Sequence, residues 1–157
     1  MKGSNLLFVA SWVILIVVSS AIALLSLQSL RIAYTSNTDS LTRDYTLAQI
    51  QEQGGDEAVK AFKGRRATAA TWALAYSLLA IAVIWIPYRR GEKWAWWALL
   101  VALGVSQLLS IVRAIMLVTT AGFGAAAIIL SFTLIGLMAG APRMFGRRST
   151  PLDKELV

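Results

Sequence analysis

The side chains most able to do chemistry sit inside one apolar stretch, Trp94–Val118. At 3.6 residues per helical turn, Ser106, Ser110, Arg113 and Ala114 share a face, with Gln107 at its edge. A guanidinium inside an apolar span is costly and marks a candidate site. Its planar fork donates hydrogen bonds in pairs, which suits a lipid phosphate or a substrate carboxylate. In the preceding apolar run Trp72 falls level with Arg113, and Tyr76 lies nearer the middle. Arg113, Ser110, Gln107, Ser106, Trp72 and Tyr76 form the candidate ligand-binding set. A plainer reading stands beside it. Arg113 is about 7–8 Å from the end of its stretch at 1.5 Å per residue. Its side chain can snorkel that distance to the headgroups, or pair with Asp39 or Asp44. The face also has a packing reading. Ala98, Ala102, Ser106, Ser110 and Ala114 recur every four residues, a ridge of small side chains that lets another helix approach closely.

The chain holds no cysteine and no histidine. That excludes disulfides, thiol relays, Cys/His zinc sites, histidine-ligated haem and Ser–His hydrolysis. No Asp, Glu or Lys falls inside an apolar run, so a proton-coupled exporter would lack its carboxylate and a retinal protein its lysine. Tyr76 and the loop carboxylates are the remaining acid–base candidates. The inventory leans against an enzyme, and it names no catalytic residue, metal ligand or cofactor.

These residues need elements to position them. Of 157 residues, 57% are hydrophobic, and the mean hydropathy is +0.65. Soluble domains are about 45–50% apolar. The excess here lies in long runs, which predicts an all-α integral membrane protein. Its expected form is a four-transmembrane-helix bundle in a single membrane domain, 1–157, with a short helical outer loop between helices 1 and 2. The expected spans are about 5–27, 67–86, 94–118 and 125–141, the last stopped by Pro142. The first run exceeds the roughly 7–15 residues of a secretory apolar core, so it reads as a retained span. In the outer loop, 31–66, Asp39 or Ser40 would cap a helix to about Gln53. Gly54-Gly55 would break it, and Asp56 would cap a second helix, Glu57–Lys63. This loop reads as a solvated cap or as a lid. Gly136 and Gly140 form a G-x-x-x-G pair, for self-association or for internal packing. Trp85, Trp94, Trp96 and Trp97 suit an aromatic belt; Trp12 and Trp72 read as packing residues.

The net charge is +7. Its basic residues flank apolar runs and are not interleaved with aromatics on a polar face, which argues for anionic lipid and against nucleic acid. Lys2, Arg89, Arg90, Lys93, Arg143, Arg147, Arg148 and Lys154 fall on one side of a four-span topology. The positive-inside rule then predicts N-in and C-in in a bacterial inner (plasma) membrane, with a basic cytoplasmic tail, 142–157. The polar residues of the spans collect in their outer halves: Ser19, Ser20, Ser26 and Gln28, then Thr68 and Thr71, then Ser106, Gln107, Ser110 and Arg113. An outward-facing vestibule is one consequence; hydrogen bonding between helices is the other.

The turn Tyr88-Arg89-Arg90-Gly91-Glu92-Lys93-Trp94-Ala95-Trp96-Trp97 resembles an R-R-G-E-x-W-A-W-type phrase recurring in small, uncharacterised bacterial four-span inner-membrane proteins. The resemblance covers about Arg66–Leu117. It implies an inner-membrane protein and carries over no activity and no site residue.

Two functions are therefore expected. One is a structural or accessory subunit of a membrane complex, joined to a membrane-protein partner or to its own copies through small-residue faces. The other is a binder or carrier of a lipid-like, anionic small molecule in an outward-facing vestibule anchored by Arg113.

Overall fold

The computed structural model describes residues 2–35, 47–117 and 122–146. Every described element is helical: α1 (Lys2–Thr35), α2 (Leu47–Val83) ending in a π turn (Ile84–Tyr88), α3 (Lys93–Leu99), a π segment (Leu100–Val105), α4 (Ser106–Met116) and α5 (Phe123–Phe145). Among the described residues, four helical stretches are long and apolar enough to cross a membrane: Asn5–Thr35, Ala48–Tyr88, Lys93–Met116 and Phe123–Phe145. The molecule is thus compatible with a multi-pass membrane protein.

The helices outrun their predicted bounds. α1 continues past 27 to Thr35, and α2 begins at Leu47 and, beyond a kink at Gly55, runs from the polar region into the second apolar run. Most of the expected loop 31–66 is therefore helix. Lys63, Arg65 and Arg66 are good helix formers and nothing after Gly64 stops the chain. The predicted break is present as a kink at Gly55, with φ 69° and ψ −173°. Gln51 Nε2 donates across it to Asp56 Oδ1 at 3.0 Å. Pro142 does not stop α5, which continues to Phe145. A proline this close to a helix end forfeits one hydrogen bond, and the Gly146 amide still bonds the Pro142 carbonyl at 2.9 Å. The residues proposed as caps and partners in the outer loop, Asp39, Ser40 and Asp44, lie outside the described residues, as do Val118 and the basic tail from Arg147.

α1 packs on α2 along one side and on α5 along the other, and α5 carries α4. α2 runs against α3 and the π segment and meets α4 only at its start, where Tyr76 reaches Ser106 and Gln107. Among the described residues, the four-helix ring is closed at the end that holds the Tyr88–Lys93 turn and parts between α2 and the rest of α4 at the other. The core runs from the middle of the bundle to the turn end and centres on Leu15, Ile84, Tyr88, Leu99, Leu103 and Leu137.

The turn end is tied by side chains as well as by packing. Ser11 Oγ donates to the Gly136 carbonyl at 2.6 Å. Its one proton is thereby used, so the Tyr88 hydroxyl 2.5 Å away donates to Ser11. Phe8 stacks on the Tyr88 ring. Trp96 Nε1 donates to the Leu137 carbonyl at 2.9 Å, so this tryptophan faces inward instead of joining a belt. Trp85, Trp94 and Trp97 do stay exposed. Trp12 packs edge-on against Trp85, and the Arg89 guanidinium lies over both rings.

The glycine pair explains how the helices come so close. A side chain at Gly136 would meet Leu15 at 3.1 Å; one at Gly140 would overlap the Tyr88 hydroxyl and lie 2.6 Å from Ser11 Oγ. The pair is used within the chain, against α1 and the π turn that ends α2. The small-residue ridge on the third helix is not continuous. The π segment, with i→i+5 bonds, rotates the stripe partway along. Ala98 and Ala102 are half-buried, while Leu99, Leu103 and Gly104 turn inward and Ala114 resumes the buried face.

Candidate functional site

Where the ring parts, a cleft of about 460 Å³ opens between α1, α2, α4 and α5. That volume falls in the range of small-molecule sites, about 300–1,000 Å³. Its polar lining is Ser26 and Ser29 from α1, Arg66 from α2, and Gln107 and Arg113 from α4; Ile22, Leu25, Ala69, Ala70, Ala73 and Ile129 supply the apolar part. The polar groups gather toward the far end of each helix. On α1, Ser29 lies beyond Ile22; on α2, Arg66 lies beyond Ala73.

Each guanidinium is positioned by its helix. Arg66 Nε donates to Ser29 Oγ at 3.2 Å, which bridges α2 to α1 at the rim. Arg113 occupies the last turn of α4, where a cation complements the negative helix end. Its guanidinium reaches over Gly122, where an added Cβ would come within 3.8 Å of Nη2. Gly122 has φ 80° and turns the chain into α5, a conformation that favours glycine. The turn thus leaves room for the arginine head. Arg113 is exposed to the cleft, so its charge is not desolvated in the protein interior.

Below the arginines, Tyr76 follows the last lining residue of α2, Ala73, and lies outside the cleft. Its hydroxyl donates to the Ala102 carbonyl at 2.7 Å and lies 2.9 Å from Ser106 Oγ. The Gln107 side chain bonds the same phenol. This hydrogen bond reaches the helix ladder inside the π segment, a recognised cause of local widening. Tyr76 is therefore a tie between α2 and the third helix. It holds them together below the cleft, and the two diverge above it.

The predicted binding set is only partly assembled. Arg113 and Gln107 line the cleft; Ser106 and Tyr76 adjoin Gln107 but do not line it. Ser110 bonds back to the Ser106 carbonyl at 2.9 Å. Trp72 is elsewhere. It is 73% exposed, against the expectation of a packing residue, and lines a different trough along the outside of α1 and α2 with Tyr34, Lys60, Lys63, Thr68 and Thr71. That trough is larger, about 610 Å³. Its exposed aromatics and lysine stems have the composition of an interfacial surface more than of a site. Of the packing set, Ala114, Gly136 and Gly140 are buried, and Ala98 and Ala102 are half-buried.

Sequence reasoning missed Arg66 and Ser29. Arg66 is the last residue of the polar stretch 31–66, and Ser29 falls between that stretch and the first expected span. The usable signal was the run of alanines after Arg66, which continues one helix face into the span. Among the described residues no cluster of His, Cys, Asp and Glu could hold a metal ion. Comparison of the chain with protein-family models, curated proteins and solved structures finds no match.

Proposed function

We propose that this protein binds an anionic, lipid-like molecule, with the anionic group held in the cleft by Arg66 and Arg113. The observation that carries this reading is the convergence of two guanidiniums from different helices on one cleft, with Ser26, Ser29 and Gln107 beside them. Paired guanidiniums match a phosphate or carboxylate better than any neutral group. The cleft grows apolar with depth, as an amphiphile requires. In this reading the four helices span a bacterial inner membrane with the turn end inside, N-in and C-in, and the cleft faces out. Arg89, Arg90, Lys93 and Arg143 gather at the turn end: Arg143 lies over Phe8 and Lys93 near Phe145. That matches the positive-inside rule.

The test is native mass spectrometry of the protein released from nanodiscs that mix phosphatidylglycerol with phosphatidylcholine. Wild-type protein retains the anionic lipid preferentially; Arg113→Leu and Arg66→Gln each lose that preference. Unchanged retention in the folded double variant overturns the reading.

A second reading, an accessory subunit of a membrane complex, draws on one further feature. A wholly apolar groove of about 350 Å³ runs between α1 and α5, lined by Val13, Val17, Ala21, Ile128 and Phe132 among others. Against it, the glycine pair that suggested self-association is consumed inside the chain. A monodisperse monomer in nanodiscs, with no co-purifying protein, counts against this second reading.

A further inference from the structure

We infer that the cleft takes its ligand sideways from the membrane, through the opening between α2 and α4, and that the ligand is a phospholipid whose acyl chain lies in that opening. This rests on the cleft being an anion site. Three observations carry it further. The first is packing. α2 contacts the third helix through α3, the π segment and the first two residues of α4, and the Tyr76 bond to Ala102 is a tie between them. Beyond that tie α4 leans on α5. Among the described residues the ring therefore has one parted wall, and in this reading that wall faces the hydrocarbon.

The second observation is the lining. The α2 side of the opening presents Ala69 and Ala73, and the α4 side presents Gln107. Methyl side chains leave space for a chain where leucines would close it. The third is polarity. The guanidiniums stand at the rim and the alanines below, so a lipid enters in the orientation it already has in a bilayer. Its phosphate stays at headgroup depth, and only its acyl chain shifts laterally. A water-soluble phosphate or carboxylate would gain nothing from the apolar lower half.

The closing experiment uses the full chain in phosphatidylcholine nanodiscs that carry a phosphatidylglycerol with a photoreactive diazirine on its acyl chain. Labelled peptides are mapped by mass spectrometry. The expected label falls on α2 around Ala69–Tyr76 and on α4 around Gln107. It drops about tenfold in the Arg66→Gln/Arg113→Gln variant, the loss of roughly 1.4 kcal/mol. Ala69→Leu/Ala73→Leu fills the opening and leaves both arginines. If this variant melts near wild type yet labels fully, the lateral route is overturned. Arginine-dependent label on Val13, Val17 and Phe132 instead overturns the route and leaves the anion site standing. Label that ignores the arginines, and is matched by a phosphatidylcholine probe, overturns the anion site itself. Inorganic phosphate or glycerol phosphate that displaces the probe at low millimolar concentration shows an aqueous ligand and also overturns the route.

Discussion

The two ends of the bundle solve opposite problems. At the turn end polar groups are matched within the protein: Tyr88 donates to Ser11, Ser11 to the Gly136 carbonyl, and Trp96 to the Leu137 carbonyl. Glycines let the backbones close on these bonds, and aromatic rings fill the remaining space. At the cleft end the polar side chains are larger, α2 and α4 stand apart, and the guanidiniums, Arg66 bonded to Ser29, also line accessible space. The difference teaches how a small bundle can hold a cleft at all. Helices that splay at one end need a rigid junction at the other. In a medium as apolar as their own side chains, that junction comes from close packing and hydrogen bonds. The turn end should therefore govern stability and the cleft end ligand retention, with little exchange between them.

The largest effect should come from the turn end. Gly140→Val forces a branched side chain into the Tyr88 hydroxyl and Ser11 Oγ. Overpacking of this kind costs about 1–3 kcal/mol and at times more; with backbone-close neighbours on two sides, the upper end applies. Thermal unfolding in detergent, followed by tryptophan fluorescence, should show a loss of about 3 kcal/mol or no folded protein at all. A Gly140→Val protein as stable as wild type would remove the junction from the account.

Next is the reciprocal change at the cleft. Arg66→Gln/Arg113→Gln should lower retention of anionic lipid about tenfold, near 1.4 kcal/mol of binding. The same variant should lose no more than about 1.5 kcal/mol of stability in lipid-free detergent, the scale of the bond from half-buried Arg66 to Ser29. A melting loss as large as that of Gly140→Val would make the arginines structural and collapse the contrast between the ends.

A finer cut tests how the junction is built. Tyr88→Phe deletes the hydroxyl that Ser11 accepts from, at a cost of about 1 kcal/mol. In a Gly140→Ala background the sign should reverse, because the deleted oxygen is the atom that the new methyl strikes. A double-mutant cycle should then give a coupling of about 0.5–3 kcal/mol, the usual span for touching residues. Additive effects would mean that the helices relax apart instead of clashing.

How much of this was legible in the sequence follows from what each signal measures. Hydropathy runs located the apolar helices, because burial in lipid is a property of composition. The kink at Gly55 was legible because glycine tolerates φ values that other residues resist. The rotation of each helix was harder. A helical wheel assumes a constant 3.6 residues per turn, and the π segment at Leu100–Val105 breaks that assumption midway. The alanine ridge dissolved for that reason. Trp72 was misread because depth places a residue along an axis and says nothing of the direction in which it faces. Arg66 was hidden by its neighbours: a charged run looks like loop until the helix continues through it. The glycine pair carried two meanings, and only the arrival of Ser11, Leu15 and Tyr88 opposite it decided between them.

The smallest expected effect probes the ground between the ends. Among the described residues, Ser19 Oγ and Thr133 Oγ1 are buried with no hydrogen-bond partner in the protein. Ser19 belongs to α1 and Thr133 to α5, helices that share a seam, and neither residue lines the cleft. A buried hydroxyl without a partner carries its desolvation cost with no return. Thr133→Val keeps the shape and removes that oxygen, so stability should hold or rise by up to about 1 kcal/mol. Lipid retention should not move, since the residue touches neither arginine. A loss above about 1 kcal/mol would show that this hydroxyl is satisfied in the membrane. The seam would then belong with the polar cleft, and the boundary between the two ends would shift toward the turn.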